Sequence, residues 1–232
     1  MNTKWLQSSI ARRSFLARLG VGAGVVGATV ASSPSLMAQV APDAPWRPAR
    51  HAQDDWLDKI PGQHRFVFDT TTPDGLALAF QFGGNYFTAN ADAYGLKESD
   101  LAVVIVVRHK STSFGYNDAM WAKYGKQFSE QAEFTDPKTK EPPTVNVYAT
   151  AGDGSGQPSR MDALIKKGVH FAVCQTSSRG IATRIAKANG VEVDSVMKEM
   201  AANLVGNARL VPAGIVAVNR AQEHGYSFVH AM

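Results

Sequence analysis

The chain has 232 residues with a formal charge of +4, a sequence pI near 9.2, and a single cysteine. Four of the 24 basic residues, Lys4, Arg12, Arg13 and Arg18, fall in an N-terminal stretch with no acidic residue. Setting them aside leaves 20 basic residues against 20 acidic ones, which removes the charge argument for nucleic acid or a membrane surface as partner, and one cysteine excludes an intramolecular disulfide.

The first 41 residues read as a twin-arginine export signal. Arg12-Arg13-Ser14-Phe15-Leu16 supplies the arginine pair and apolar core, and the glycine-rich run Leu19 to Ala31 is too short to span a bilayer. Small residues near Ala38 offer a cleavage site. The expectation is a periplasmic protein with no membrane insertion after cleavage. Residues 42–64 carry Pro42, Pro45, Pro48 and Pro61 and read as an extended tether with a short helical piece around Asp54 to Lys59. One domain, 65–232, follows.

Arg65 to Asp69 is a short strand, and Thr72-Pro73-Asp74 opens a helix that runs to Gly95. Leu101 to Val107 is a nearly unbroken β-branched run, the pattern of a strand buried on both faces. A polar loop, His109 to Gly115, precedes a helix over Asn117 to Phe128 whose Trp121, Tyr124 and Phe128 form a core stripe. Residues 133–158, rich in Pro, Lys, Thr and Gly, read as a large surface insertion. Within it Val145 to Tyr148 resembles a strand leading into Gly152-Asp153-Gly154-Ser155-Gly156, a spacing that fits a flexible loop better than a phosphate cradle.

A helix from Ser159 to Lys167, a strand from Val169 to Val173, and helices over Gly180 to Asn189 and Asp194 to Leu204 come next. Leu210-Val211 begins a last repeat, with a helix from Ile215 to His224 and a closing strand from Tyr226 to His230. Strands alternating with helices imply a three-layer α/β fold with a mostly parallel sheet of about five strands.

Function in such a sheet collects beyond the carboxyl ends of the strands. His109 to Ser113 and Cys174 to Arg179 are the two strand-end loops that qualify, so Cys174 and His109 share a cleft if their strands are neighbours. Cys174 precedes a helix and has Arg179 close in sequence, both of which favour the reactive thiolate. Cys174 is the candidate catalytic residue, with His109 and Arg179 as candidate binding residues. His170 reads as structural, His224 and His230 are spaced too loosely for a metal, and no HxxxH or CxxC pattern exists. Composition leaves the identity of any cofactor open.

Three segments together resemble the DsrE-like sulfur-relay family over roughly Arg65 to Ala231. They are Asp74-Gly75-Leu76-Ala77; Lys167-Gly168-Val169 leading through Phe171 to Cys174 and Arg179-Gly180; and Leu210-Val211-Pro212-Ala213-Gly214 ahead of Gln222-Glu223-His224-Gly225-Tyr226. The resemblance implies a flavodoxin-like three-layer fold, assembly into homo- or hetero-oligomers, and a persulfide on the cysteine matching Cys174. Its partners would be further copies of the chain and a small sulfur compound or sulfur-donor protein. The export signal, the tether and the 133–158 insertion lie outside the family pattern. The alternatives are a non-catalytic module holding a small ligand or haem at the His109 edge, and a structural oligomer subunit.

The arginine pair generates the first prediction. Replacing Arg12 and Arg13 together with Lys leaves uncleaved precursor in the cytoplasmic fraction on immunoblotting, because an ammonium does not reproduce the guanidinium fork; normal export of that variant refutes the signal assignment.

Overall fold

The computed structural model describes residues 46–149 and 160–232. The expected signal with Arg12 and Arg13, the expected cleavage site near Ala38 and the Gly152 to Gly156 segment lie outside the described residues. Residues Arg47–Met232 form one compact unit.

Five strands build the sheet: β1 (His64–Thr70), β2 (Leu101–Val107), β3 (His170–Cys174), β4 (Ala208–Val211) and β5 (Ser227–Ala231). All four pairings are parallel, in the order β4-β3-β2-β1-β5. Helices cover both sides, which is the expected three-layer, flavodoxin-like α/β architecture. β2 is central and buried at every position, as its apolar run requires.

The chain steps one way from β1 to β4 and then returns across the sheet to β5. Right-handed crossovers put helices on opposite faces when the direction of travel reverses. One face therefore carries α2 (Pro73–Tyr94), α3 (Asp118–Ala132), α4 (Arg160–Lys166), α5 (Gln175–Asn189) and α6 (Val193–Ala202). Its core interleaves Phe68, Val103, Ile105, Val107, Phe171 and Val173 with Leu76, Phe80, Trp121, Phe128, Ile181 and Met200. The other face carries α7 (Gly214–Glu223), whose Ala217, Val218 and Ala221 meet Val67, Ala102, Val104, Val106, Ala172 and Val211. Small side chains on both sides of that contact bring the helix close to the sheet.

The caps follow the sequence. Thr72 accepts from the Gly75 N–H at the start of α2 at 2.9 Å, and Gly95 ends it in the left-handed conformation at φ 66°. The helix expected from Asn117 is α3, with Asn117 as its N-cap.

Four expectations are corrected. The segment taken as a tether folds onto the α7 face: a 3-10 turn at Ala52–Asp54 and α1 (Trp56–Lys59) bury Leu57 and Ile60 in that core. Arg65 Nη1 and Tyr226 Oη both donate to the Leu57 carbonyl, at 3.0 and 2.8 Å. Gly62, at φ 114°, presses its Cα against β2 so closely that a Cβ would lie 2.6 Å from Ala102 N. Second, His109–Gly115, expected as a polar loop, is a 3-10 helix with Ser111 to Gly115 buried.

Third, Asn146 and Tyr148, within the supposed surface insertion, are pinned into the core. Asn146 is fully buried and its Nδ2 donates to the Phe114 and Tyr116 carbonyls at 2.9 and 2.8 Å, while the Tyr148 ring packs on Phe80 and Phe114. Val145 to Tyr148 is accordingly not a strand. Fourth, α5 starts at Gln175, directly after Cys174, where the sequence suggested a loop as far as Arg179.

Leu57 separates a tether from a packed layer. Leu57→Ala lowers unfolding stability in urea by about 2–4 kcal/mol, the range for emptying a buried leucine site; a change below about 0.5 kcal/mol, the effect of an ordinary surface substitution, refutes the packing.

Candidate functional site

Loops leaving β1, β2 and β3 turn to the many-helix face, while the loop leaving β4 turns to the α7 face. The chain thus forks between the carboxyl ends of β3 and β4, and in open parallel sheets such a fork opens a crevice. Cys174 stands at it, as the last residue of β3 and the register partner of Val211 in β4. Cys174 is also the N-cap of α5, with extended backbone at φ −69° and ψ 110°.

Its Sγ accepts from the Ser177 backbone N–H at 3.5 Å and from Ser177 Oγ at 3.4 Å. Both donors come from the first turn of α5, where the aligned peptide dipoles are positive. The Cys174 carbonyl accepts from Ser178 Oγ at 2.8 Å, and Tyr116 Oη in turn donates to Ser178 Oγ at 2.5 Å. Burial pushes the Tyr116 hydroxyl pKa far up, so it stays a donor. The cysteine is only 5% exposed.

The register identifies the neighbour across the ladder. Val107 pairs with Val173, and Arg108 continues the extended backbone at φ −138° and ψ 165°, so Arg108 lies opposite Cys174. Side chains alternate along a strand, and Val106 and Ala172 face α7; Arg108 and Cys174 share that face. Arg108 Nε and Nη2 donate to Asp69 Oδ1 and Oδ2 at 2.6 and 2.7 Å, a bidentate fork. Asp69 is the register partner of His230 on β5, whose Nδ1 lies 2.9 Å from Asp69 Oδ2. A row His230, Asp69, Arg108, Cys174 therefore runs across four strands along one edge.

The Arg108 pKa is raised, chiefly by the hydrogen bond to Asp69, against the opposing effect of burial; the charges of Asp69 and Cys174 raise it further. The residue is held from three directions. Asp69 takes its head, the backbone N–H donates to Ser111 Oγ at 3.0 Å, and its stem packs on Gly214, where an added Cβ would lie 2.5 Å from Arg108 Cβ. Thr176 Oγ1 donates to the Pro212 carbonyl at 3.0 Å, tying the first turn of α5 to the loop after β4.

The structure brings two of the three site residues predicted from sequence together. β2 and β3 are neighbours, and the His109 N–H donates to Ser177 Oγ at 3.1 Å, one bond from the Cys174 sulfur. His109 adopts the left-handed region at φ 58°, its carbonyl accepts from Gln131 Nε2 at 3.0 Å, and the residue is exposed. It joins the site through its backbone. Arg179 is not brought in: its guanidinium pairs with Asp194 of α6 at 3.0 Å, with more than half of the side chain exposed. The cation beside Cys174 is Arg108.

Asp69 and Arg108 were not singled out by the sequence reading, Ser177 entered only as part of the Cys174 to Arg179 loop, and His230 was weighed only as a metal ligand. The available signal was a charged residue at the carboxyl end of each of two apolar strands, RFVFD and LAVVIVVR. His170 sits at the start of β3, half-buried near Trp56, and burial followed by the Arg209 charge pushes its pKa down. A cleft of about 280 Å³ between Trp56, Lys59, His170 and Arg209 lies at that amino edge, remote from Cys174. Among the described residues no group of His, Cys, Asp or Glu could hold a metal ion, and no helix is long and apolar enough to cross a membrane.

No family model matches the chain, and no curated protein does either. Among solved structures it is similar to MTH1491, a protein of unknown function from Methanobacterium thermoautotrophicum, at 14% identity and a TM-score of 0.37, over 72% of this chain and 99% of that one. A likeness at that level carries no argument about function.

Asp69 is the buried partner of the pair. Arg108→Ala, which strands that carboxylate, costs about 3 kcal/mol in urea unfolding, whereas Asp69→Asn with Arg108→Gln costs less because no charge is left unpaired. Equal losses from the two proteins contradict the account of a buried, mutually dependent pair.

Proposed function

We propose that the protein is an exported, DsrE-like sulfur carrier in which Cys174 accepts sulfane sulfur as a persulfide and passes it on. In this reading the N-terminal twin-arginine segment directs the folded chain to the periplasm, and the domain self-associates, as the family resemblance implies. The observation that carries the reading is the position of the chain's single cysteine. It lies at the fork between β3 and β4, with Sγ facing two donors of Ser177 at 3.4 and 3.5 Å and Arg108 opposite it in the ladder.

The chemistry is one displacement. The Cys174 thiolate attacks the outer sulfur of a donor; the new Sγ–S bond forms as the donor's own S–S bond breaks, and that electron pair leaves on the donor fragment, sulfite in the case of thiosulfate. The terminal sulfur then bears the negative charge. The Ser177 N–H and hydroxyl and the N-terminus of α5 favour an anion there. Transfer onward repeats the step, with an acceptor thiolate attacking the terminal sulfur and Cys174 leaving.

Incubating the reduced protein with polysulfide or thiosulfate adds about one sulfur atom to the intact mass, dithiothreitol removes it, and Cys174→Ser never gains it. Since Cys174 is largely covered, access is measured separately with iodoacetamide. A thiol that stays inert to both reagents until the chain is unfolded is a core residue, and that result overturns the proposal.

A further inference from the structure

We infer that Arg108 makes Cys174 selective for anionic sulfane-sulfur donors, of which thiosulfate and inorganic polysulfide are the simplest, over neutral ones. The inference rests on the sulfur-acceptor reading of Cys174 and adds its substrate class. Three observations carry it, all of them geometric.

Arg108 is the cross-strand neighbour of Cys174 on the same face, one position beyond the Val107–Val173 pair. Its two bonds to Asp69 use Nε and Nη2, so Nη1 keeps its hydrogens without a partner among the described residues. Asp69 approaches from β1, the side away from Cys174, since β2 lies between β1 and β3. The cation of the pair therefore stands on the strand next to Cys174, and the carboxylate one strand further away. Gly214 completes the seat: any side chain there would collide with the arginine stem.

Charge explains why this arrangement selects. A thiolate and an anionic donor repel each other as they meet, and a cation held at the meeting point lowers that barrier for the anion alone. In the thiosulfate step the thiolate and the dianion become a persulfide anion and sulfite, so the total charge is unchanged while both sulfur fragments stay negative throughout. A neutral organic trisulfide brings no charge for Arg108 to offset. Arg108 is a specificity-determining residue, and Asp69 and Gly214 position it.

The test uses two alkylating reagents of nearly equal size, anionic iodoacetate and neutral iodoacetamide, on the purified chain, where Cys174 is the single thiol. Any change in thiolate fraction cancels in the ratio of their rates. In Arg108→Gln that ratio falls about tenfold relative to the unsubstituted protein; persulfide formation with thiosulfate falls with it, while the mixed trisulfide formed with a neutral dialkyl trisulfide, where Sγ bonds the central sulfur and an alkyl thiolate leaves, forms at an unchanged rate. Asp69→Asn with Arg108→Gln removes both charges together and gives a smaller fall in the same direction, because no carboxylate is left behind to repel the anion; it keeps the test valid should the single variant fail to fold. If Cys174 takes up sulfur and both variants leave the reagent ratio unchanged, the selectivity inference is overturned while the carrier reading stands. Inertness of folded Cys174 to every reagent overturns both.

Discussion

The structure depends on the handedness of its crossovers. With the chain stepping steadily from β1 to β4, right-handed connections must stack α2 to α6 on one face, which leaves the other face to α1 ahead of β1 and to the helix laid down when the chain turns back. That return, through α7, forks the chain between β3 and β4 and opens the position Cys174 occupies. It also delivers β5 to the free edge of β1, which is how His230, near the end of the sequence, comes to touch Asp69. One turn-back near residue 212 thus places both ends of the polar row.

The row itself is a costly thing to build. Asp69 has only 3% of its side chain exposed, and taking a carboxylate out of water is compensated only by good geometry with its partner. The bidentate fork gives both oxygens a donor, His230 Nδ1 lies 2.9 Å from one of them, and Arg108 keeps a quarter of its side chain in solvent. An ion pair of this kind adds little net stability over a well-packed apolar pair. What it supplies is orientation: a guanidinium that would otherwise sweep through many rotamers is fixed beside Cys174, with Gly214 leaving room for its stem.

Much of the fold was legible because the signals are local. Leu101 to Val107 announces a doubly covered strand, Thr72-Pro73-Asp74 announces a helix start, and the position of Cys174 follows from the strand before it. The misses share a nonlocal cause. Arg179 is five residues from Cys174 in sequence, but five helical residues turn by about 140° beyond a full circle, which carries it round to Asp194. Arg108 is 66 residues from Cys174 and touches the site through strand register, which no spacing rule reveals. Leu57 and Ile60 were read as part of a tether because a four-residue helix is too short to display a period. Asn146 reads as surface until the carbonyls of Phe114 and Tyr116, left free by the turn around Gly115, are seen to need a donor.

The capping geometry at Cys174 separates stability from chemistry at one atom. An N-cap is ordinarily an oxygen, and sulfur is a weaker acceptor that stands off at 3.4 to 3.5 Å here. Serine at this place would satisfy the same Ser177 N–H at shorter range and would serve the helix better. The sulfur is therefore not explained by the needs of α5; it lies 5% exposed at the carboxyl edge of the sheet, beside Val211 in the ladder. Its first-turn donors, the arginine opposite and the seat at Gly214 are each understandable as local structure. Only their convergence on one sulfur is not, and that convergence is the physical basis for reading Cys174 as the place where this protein does its chemistry.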